Sequence, residues 1–469
     1  MKSMEWPAYR ALEAVLGDLN AQIAASPGDV EAQFLRGCVL RDLGRYGESL
    51  EALERAVNLA PDHAAATVTL AAMLHRRGER LRPGTLLERL LDVHPDNPSA
   101  HLSYANVLAL HDGTSARRHL ERALELAPDL RAAHAALCSL LAMQGDDAAA
   151  TRHRAAAFAA TPLALQPYRG SRWPRPALVL LSTDGGNLAT DVLLDDTIFQ
   201  TTNLYVEVFE PSTQLPPHEI IVNALADADR NAAMLRRAEL IVHGSAAPVI
   251  NAPLAVLATG RLQLARRLSV IDGVRIPHVE TFDRRSAPEF PLLLRAPGYH
   301  MGRHFAYVDD EAALDRALAA LPSGDPLAIE FVDTVDADGW FWKYRVMSIG
   351  GNLYPLHLAA SRSWKVHYFS SAMSEDESLR ERERTFLENM SAVLGPRAMR
   401  ALDEVARKMN LDYAGIDFAL DRNGDIVVFE ANAAMTVIPP ESDVRYEYRL
   451  APTKRILDAM ANLTARCLR

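Results

Sequence analysis

The residues whose types and spacing most directly predict chemistry are two acids and an asparagine near the end of the chain, Asp417, Glu430 and Asn432. Carboxylate and amide oxygens, without sulfur or imidazole, suit the hard cations Mg²⁺ and Mn²⁺. Mg²⁺ held by one or two carboxylates usually keeps substrate phosphates among its other ligands. Three such donors on one surface therefore predict a nucleotide-phosphate site.

These donors share one surface if the segment Leu411–Met435 folds as a β-hairpin. Two runs of β-forming residues flank Asn423-Gly424, a typical two-residue turn. With that turn, Arg422 lies opposite Asp425, and the same count places the two carboxylates opposite each other with the asparagine on the same face. Opposed carboxylates are destabilising unless a cation lies between them, and neither strand carries a lysine or arginine. The alternative is a surface hairpin with scattered polar residues.

The sequence GIDFALDRNGDIVVFEAN resembles the signature of the ATP-grasp superfamily, specifically its carboxylate–amine ligase branch of ribosomal-protein glutamate ligase and D-alanine–D-alanine ligase. That signature is an aspartate strand, a turn and a strand ending in Glu-x-Asn. The resemblance covers about residues 175–469 and implies an α+β ATP-grasp fold preceded by an α/β pre-grasp domain. It also implies ATP and Mg²⁺ (or Mn²⁺) as cofactors, with Asp417, Glu430 and Asn432 holding the metal ions.

Two upstream segments resemble the family in the expected order. The segment Val249–Phe282 is similar to the pre-grasp helix and the entering strand, with Arg261 where the family usually has lysine. The segment Phe290–Leu318 is similar to the first grasp strand, its glycine loop and the following helix, with Arg295 at the second nucleotide-binding lysine position. Arginine keeps the charge but changes the geometry of phosphate binding. The loop glycines that the resemblance assigns to ATP are Gly298 and Gly302.

The resemblance also assigns a nucleotide hinge and a catalytic arginine. The hinge LAIEFV would contact adenine through Glu330 and Val332, and the strand pair Trp342–Ala360 carries the catalytic arginine, Arg345. The segment NAAMTVIPP replaces the family's small Pro-Gly turn after the metal asparagine, so the acceptor stays open. The candidates for substrate contacts are Lys343, His357, Arg362, Lys365 and His367. A structural or surface role is equally compatible with the sequence for each of them.

The first third of the chain contains an internal repeat. Its marker prolines are 34, 34, 33 and 34 residues apart: Pro27, Pro61, Pro95, Pro128 and Pro162. In the first full unit Gly37 stands where two helices must approach closely and Gly44 at the turn between them. Cys138 and Gly145 take these positions in the last unit. This pattern resembles the tetratricopeptide repeat over about residues 10–162, and stacked repeats of this kind bury a shared core and form a concave groove.

The groove predicts a partner. Grooves of this kind usually bind extended peptides or proteins, and by repeat position the candidates facing the groove are Phe34, Arg41, His75, Arg76 and Asn106. Each of them could equally lie on a solvated helix face. The predicted fold class is thus multidomain, an all-α tetratricopeptide repeat solenoid followed by the α+β ATP-grasp fold with its α/β pre-grasp domain.

The domain boundary is predicted where prolines and arginines interrupt the helical period. Beyond it, Ala177–Ser182, 203–209 and 239–244 are predicted strands, and the glycine loop TDGGN that starts at Thr183 is a weak phosphate-binding candidate. The predicted parts are residues 1–165 for the repeat solenoid, 166–176 for the linker, 177–275 for the pre-grasp domain and 276–469 for the ATP-grasp domain.

Composition excludes several classes of protein. The 469 residues carry a formal net charge of −10, which argues against a general affinity for nucleic acid or anionic membranes. The three cysteines are far apart and predict no disulfide framework, and no stretch approaches the length of a membrane span. We therefore expect a cytoplasmic protein, for which a homo-oligomer is compatible with the sequence.

The function predicted from these features is an ADP-forming ligase. It would activate a carboxylate as an acylphosphate and join it to a small-molecule amine or amino acid, on a peptide or protein that the repeats dock. Two alternatives stay open. One is a free amino-acid or dipeptide ligase whose repeats serve assembly, and the other is a non-catalytic repeat adaptor with a degenerate nucleotide domain.

Overall fold

The structure, a computed structural model, describes residues 6–79, 81–109, 111–158, 162–210, 212–283, 288–296, 304–322, 324–366, 371–437 and 443–467. The chain forms two compact units. The first consists of Met1–Gly185 with Leu194–Ile221, and the second of Gly186–Leu193 with Val222–Arg469. None of the helices in these described ranges is long and apolar enough to cross a lipid bilayer.

The first unit begins with helices that pack in consecutive pairs. Their bounds are α1 Pro7–Ala25, α2 Val30–Asp42, α3 Tyr46–Leu59, α4 Ala64–Arg76, α5 Leu81–Val93, α6 Pro98–Leu108, α7 Gly113–Leu126, α8 Arg131–Gln144 and α9 Asp147–Phe158. Side chains at equivalent repeat positions cap three of these helices, because Asp29, His63 and Asn97 each accept the N–H of the residue three positions later. The predicted helical repeat is confirmed.

Glycine is required at Gly37 and at the turns after α2 and α8. A Cβ atom on Gly37 would lie 2.7 Å from Cγ of Leu53, so only glycine lets α2 and α3 approach this closely. Gly44 and Gly145 follow α2 and α8 with φ values of +75° and +85°, which side chains rarely adopt.

Three strands lie entirely within the first unit, namely β1 Leu163–Leu165, β2 Arg175–Leu181 and β3 Phe199–Tyr205. β3 pairs antiparallel with β1 and parallel with β2. β2 confirms the predicted buried strand, whereas the strand predicted over 203–209 is wrong beyond Tyr205, where the chain forms a turn. The next strand, β4 Ile220–Asn223, spans the point at which the chain passes from the first unit to the second.

The segment predicted as a linker is packed against its neighbours in the first unit. Nη1 of Arg169 donates to the Asp196 carboxylate at 2.6 Å, and Nη2 of Arg169 lies 3.9 Å from Asp42 in α2. A Cβ atom on Gly170 would lie 2.0 Å from the backbone oxygen of Thr197. Residues 166–176 therefore lie within the same compact unit as the repeats.

The second unit contains two further sheets. The strands that follow β4 are β5 Val249–Ile250, which lies in neither of these two sheets, and β6 Val274–Arg275, β7 Val279–Thr281, β8 Leu292–Arg295, β9 Phe305–Val308, β10 Leu327–Glu330, β11 Phe341–Ile349, β12 Asn352–Ser361, β13 Tyr413–Leu420 and β14 Ile426–Asn432. One sheet is antiparallel with the order β7-β10-β8-β9. The other has the order β12-β11-β13-β14-β6 and is antiparallel except for the β14–β6 pair.

The second unit also contains helices, several of which pack on these sheets. Their bounds are α10 Ala232–Val242, α11 Pro253–Leu257, α12 Arg261–Leu268, α13 Glu311–Ala320, α14 Glu377–Glu388, α15 Met390–Met409, interrupted at Gly395, and α16 Leu450–Cys467. The strand predicted over 239–244 is wrong, because most of this segment is the end of α10. The buried residues Leu235, Ala238 and Ile241 recur every third position, which is a helical period.

Candidate functional site

The predicted carboxylate pair lies on neighbouring strands of the second unit. Asp417 on β13 is directly opposite Glu430 on β14, and Asn432 follows two residues later on the same strand. The predicted register of these two residues is confirmed. Asp417 is 2% exposed, so its charge is buried and requires compensation.

The turn that produces this register differs from the predicted one. The last pair before the turn is Leu420 with Ile426, so the prediction that Arg422 lies opposite Asp425 is wrong. The Asp421 carboxylate accepts the N–H groups of Asn423 and Asp425 and so holds a wider, five-residue turn.

A bulge on β14 compensates for this wider turn. Phe418 pairs with Val428, whereas the next residue back, Asp417, pairs with Glu430, so Phe429 is an extra residue without a partner on β13. The bulge restores the register that a two-residue turn would have given. It also places Phe429 at the surface of the cleft described below, where the residue is 38% exposed.

The cations that stabilise Asp417 come from the third strand, β11. Nε and Nη2 of Arg345 donate to the two carboxylate oxygens at 2.5 and 2.7 Å, and Nζ of Lys343 lies 3.2 Å from Oδ2. Burial alone would raise the pKa of Asp417, but these two positive charges outweigh it and hold the pKa well below its ordinary value. The aspartate is therefore ionised at neutral pH.

Glu430 pairs with a different cation, Arg261. Nη2 of Arg261, the first residue of α12, donates to Oε1 of Glu430 at 2.9 Å, and Nδ2 of Asn432 donates to the same oxygen at 3.0 Å. The backbone N–H of Arg261 donates to Oδ1 of Asp229 at 3.3 Å. Arg261 is thus fixed at the site by acids from two different elements.

Arg295, the other predicted phosphate-binding arginine, lies at the end of β8 and lines the same cleft. Burial and the charge of Arg261 lower the pKa of Arg295 to about 10, so the guanidinium still carries its charge at neutral pH. Its carbon Cζ lies 5.3 Å from the centre of the Phe305 ring. Two neighbouring guanidinium groups attract an anion, which would relieve the repulsion between them.

The two carboxylates, Asn432 and the cations described above line one cleft of about 540 Å³, a volume typical of small-molecule sites. Charged and apolar side chains both line the cleft. The apolar ones include Leu293, Phe305, Ile329, Phe331, Val332 and Met435. A ligand with a flat apolar group joined to an anionic group would match this mixed lining.

The predicted hinge residues both line the cleft. Val332 is buried and lines the cleft, as does Glu330. The Glu330 carboxylate, however, accepts Nη2 of Arg275 at 2.7 Å and the backbone N–H of His278 at 3.0 Å. Its side chain is thus held by β6 and the segment before β7.

The predicted substrate residues fall into three groups. Lys343, His357 and Lys365 line the cleft. Arg362 is not among the described residues that line it and instead stacks on the ring of Trp340, with its Cζ 3.7 Å from the ring centre. His367 lies outside the described residues, as do the loop glycines Gly298 and Gly302.

His357 is a neutral histidine within this charged site. It pairs with Arg345 across β12 and β11 and is 5% exposed. Burial, followed by the positive charge of Arg345, lowers the pKa of His357 well below its ordinary value.

Sequence reasoning missed three residues of the site. Asp229, Glu383 and Arg449 belong to no recognisable sequence motif. They reach the site only through contacts of the folded chain, of Asp229 with Arg261 and of Glu383 with Arg449. Lys343, by contrast, carries a period-2 signal, because it is two residues before Arg345 on a predicted strand and therefore shares its face.

The donor set fits a hard divalent cation. Two carboxylates and an amide group converge, and each offers only oxygen as a metal ligand. In the part of the chain that is described, no group of three or more His, Cys, Asp or Glu side chains is arranged to hold a metal ion, so the asparagine amide is needed as third donor. Asp417, Glu430 and Asn432 would hold Mg²⁺, which would neutralise phosphate charge there.

Known proteins are similar to separate parts of the chain. A tetratricopeptide-repeat family model matches residues 30–63. No curated protein matches the sequence. A solved RimK-domain ATP-grasp protein from Sphaerobacter thermophilus is 14% identical, and the match covers 62% of this chain and 100% of that one with a TM-score of 0.40.

Two other solved structures are also similar to parts of this chain. The VanG D-Ala:D-Ser ligase from Enterococcus faecalis is 12% identical over 62% of this chain and 100% of its own, with a TM-score of 0.39. The tetratricopeptide-repeat protein YrrB is 16% identical over 33% of this chain and 80% of its own, with a TM-score of 0.28. The N-terminal helices thus match the tetratricopeptide repeat, and the solved structures similar to this chain include ATP-grasp ligases.

Proposed function

We propose that this protein is an ATP-dependent, ADP-forming ligase that activates a carboxylate as an acylphosphate and joins it to an amine. The observation that carries this proposal is the convergence of Asp417, Glu430 and Asn432 with three arginines in one cleft that apolar side chains also line. The arginines are Arg261, Arg295 and Arg345. Such a cleft can hold a nucleobase at one end and a phosphate chain with its counter-cations at the other.

Each group has a role that follows from its position. The apolar lining residues, among them Val332, would hold the adenine ring. Arg261 and Arg295 would bind phosphate oxygens, because their guanidinium groups line the cleft and are fixed by burial or by acid partners. Mg²⁺ bound by the two carboxylates and the amide would neutralise part of the phosphate charge.

The proposed reaction has two steps, a phosphoryl transfer and an acyl transfer. A carboxylate oxygen attacks the γ-phosphorus, and the bond between that phosphorus and the β,γ-bridging oxygen breaks to release ADP. The amine nitrogen then attacks the acyl carbon, the bond to the phosphate oxygen breaks, and the amine loses a proton as phosphate leaves. The protein contributes mainly position and charge.

Arg345 is the residue that we assign to the reacting groups. Its two-point contact with Asp417 fixes the guanidinium plane before the substrates bind. A fixed positive charge at this position would stabilise the transferring phosphoryl group and the oxyanion on the tetrahedral carbon. Because the group is oriented in advance, little reorganisation is needed during the reaction.

The repeats suggest that the acceptor is a peptide or protein. The family-model match to residues 30–63 supports this part of the proposal, because stacked repeats of this kind form peptide-binding grooves. The solved structure of YrrB is described as a repeat protein with an unusual peptide-binding site. Docking of the acceptor by the repeats belongs to the same proposal.

The proposal is tested by Mg²⁺-dependent release of ADP in the presence of carboxylic acids and an amine. Glu430→Gln should lower the turnover at least about 100-fold, because it removes one of two metal carboxylates. The matched control is Glu388→Gln at the exposed end of α14, which should keep wild-type turnover. Acid-stimulated turnover that is the same in the Glu430→Gln variant would refute the proposal.

A further inference from the structure

We infer that the helix pairs α6–α7 and α8–α9 of the repeat array form a pH-sensitive switch built from two pairs of facing histidines. Each histidine pair accommodates one added proton, whereas a second one forces the two rings apart. The pairs are His101 with His119 and His134 with His153. This inference concerns the first unit and does not depend on the proposed ligase activity.

The two histidine pairs have the same geometry. Nδ1 of His101 on α6 lies 2.8 Å from Nδ1 of His119 on α7, and the same two atoms are 2.8 Å apart in His134 on α8 and His153 on α9. The ring centres are 5.1 Å apart in both pairs. His101 and His134 each stand six residues after a marker proline and are therefore equivalent repeat positions.

Backbone carbonyl groups determine where the ring hydrogens lie. Nε2 of His101 lies 2.9 Å from the oxygen of Pro95, and Nε2 of His134 lies 2.9 Å from the oxygen of Pro128. Because a carbonyl oxygen can only accept, each of these Nε2 atoms carries a hydrogen, and the neutral ring has none on Nδ1. The hydrogen between the rings therefore belongs to Nδ1 of the other histidine, on α7 or α9.

This arrangement limits how many protons the folded pairs can bind. The first added proton still leaves a single hydrogen between the facing Nδ1 atoms, because the histidine on α7 or α9 can carry its own hydrogen on Nε2 instead. The second places a hydrogen on both facing atoms, and two like-charged N–H groups cannot remain 2.8 Å apart. In the unfolded chain both rings of a pair bind protons below about pH 6.5, so each folded pair holds one proton fewer.

The groups around the first pair disfavour full protonation. Burial, followed by the charge of His101 and then that of Arg118, lowers the pKa of His119 below its ordinary value. The ring of Tyr104 packs edge-on against His119, with the ring centres 4.8 Å apart. The hydroxyl of Tyr104 donates to Glu88 on α5, so this nearby carboxylate is already engaged.

The second pair has similar surroundings. Burial, followed by the charge of His134, lowers the pKa of His153, and Arg152 and Arg117 act in the same direction. Glu121 on α7 opposes them, but its Oε1 accepts Nε of Arg117 at 2.8 Å. Because the pKa in the folded chain is lowered, α6–α9 keep their stability above about pH 6.5 and lose it as the pH falls.

The earlier helix pairs of the array provide an internal reference. Gln33 and Thr67 take the positions of His101 and His134 there, and neither α2 nor α3 contains a histidine. Because stacked repeats interact mainly with their neighbours, one end of the array can open while the other stays folded. Mild acid should therefore open α6–α9 and leave α2–α3 closed.

Hydrogen exchange of the full chain, followed by mass spectrometry, measures this opening. The opening constant of a segment rises about tenfold per pH unit for each proton that opening binds. With one proton for each pair, protection of α6–α9 should fall about 100-fold per pH unit below about pH 6, after correction for intrinsic exchange rates. Protection of α2–α3 should change less than about threefold over the same interval.

A double variant removes the second titrating ring of each pair. In His119→Gln/His153→Gln the glutamine amide can donate to or accept from the remaining imidazole, so the folded and unfolded chains bind equal numbers of protons. We expect the pH dependence of α6–α9 to fall to that of α2–α3. The matched control is His111→Gln, which changes an exposed histidine between α6 and α7 and should keep the wild-type profile.

Parallel pH dependences of α6–α9 and α2–α3 in the wild type, or a steep dependence that persists in the double variant, would refute the switch. A second measurement needs no variant. Nuclear magnetic resonance of the full chain with isotope-labelled histidine nitrogens, at about pH 7.5, should show His101 and His134 protonated on Nε2 and the other two rings on Nδ1. The same tautomer in all four rings would also refute the switch, because the Nδ1 atoms would then share no hydrogen.

Discussion

At the scale of single residues, the two carboxylates of the site differ in what they stabilise. Asp417 neutralises Arg345 and Lys343 and is almost fully buried, whereas the side chain of Glu430 is 29% exposed and contacts one arginine. Asp417 is therefore part of the fold as well as of the site. Loss of activity in an Asp417 variant would not by itself identify a metal ligand, so Glu430 is the better position for that test.

We expect Asp417→Asn to lower the free energy of unfolding by about 3 kcal/mol, because it leaves two partly buried cations without their counter-charge. Glu430→Gln should lower it by less than about 1 kcal/mol, because water can solvate the remaining arginine. Urea denaturation of both variants at neutral pH measures the difference. Equal losses would contradict the unequal roles that we assign to the two acids.

His357 makes the fold sensitive to acid. The folded protein keeps the imidazole neutral, whereas in the unfolded chain it takes up a proton near pH 6.5. Below that pH the unfolded chain binds one more proton, so each further pH unit of acidification destabilises the fold by about 1.4 kcal/mol through this residue. The contribution is absent above pH 6.5 and grows as the pH falls.

The variant His357→Gln should remove this contribution. We expect the free energy of unfolding of the wild type to fall more steeply than that of the variant as the pH drops below 6.5. The difference in slope should be about 1.4 kcal/mol per pH unit. Parallel pH profiles would show that His357 protonates inside the folded protein.

At the scale of elements, the sequence predicted the register of the site but not its cause. The pairing of Asp417 with Glu430 is as predicted, yet it results from two deviations that cancel, a wider turn held by Asp421 and a bulge at Phe429. Neither deviation has a signal in residue type or period. Local patterns specify which strands pair, whereas side-chain contacts decide where a bulge forms.

In helix α10 the sequence does carry a signal, a helical spacing of apolar residues, but it extends over only a few residues. The segment 239–244 contains enough apolar residues for a strand, and its helical spacing is visible only when the preceding Leu235 is included. The repeat helices were predictable because five prolines fixed the period over the first third of the chain. The length of the periodic window therefore explains the difference between the two predictions.

The close contact between α2 and α3 gives a test at this scale. Gly37→Val places carbon atoms inside the contact distance of Leu53, so we expect a loss of about 2 kcal/mol from the free energy of unfolding of the first unit. The matched control is Gly47→Val near the start of α3, where an added Cβ meets no atom within 4 Å. Thermal unfolding followed by circular dichroism should show a lower midpoint for Gly37→Val alone.

At the scale of the whole molecule, the sequence separated the repeats from the strands that follow, whereas the structure joins them in one unit. The Tyr46 hydroxyl in α3 donates to the carboxylate of Asp196 at 2.7 Å, and Nε of Arg154 in α9 donates to the Thr183 hydroxyl at 2.7 Å. Ser139 in α8 also donates to the backbone oxygen of Thr183. These contacts join residues far apart in sequence, which a composition shift cannot reveal.

Some of these contacts are made by the first residues of the TDGGN loop, the weak phosphate-binding candidate. Thr183 and Asp184 are held by Arg154. Deletion of residues 1–165 would remove these partners, so we expect the shortened chain to lose the fold of its first unit. Point variants on the groove face test peptide docking more directly.

The groove hypothesis is tested by a charge at Asn106, which is exposed on α6 at a predicted groove position. If the repeats dock the acceptor, Asn106→Glu should raise KM for a peptide acceptor about tenfold, equivalent to about 1.4 kcal/mol, and leave KM for ATP unchanged. Asn58→Glu is the matched control, because Asn58 is an exposed asparagine on α3, the second helix of its pair. Steady-state kinetics with an unchanged peptide KM in Asn106→Glu would favour the alternative in which the repeats serve assembly and the enzyme acts on free amino acids.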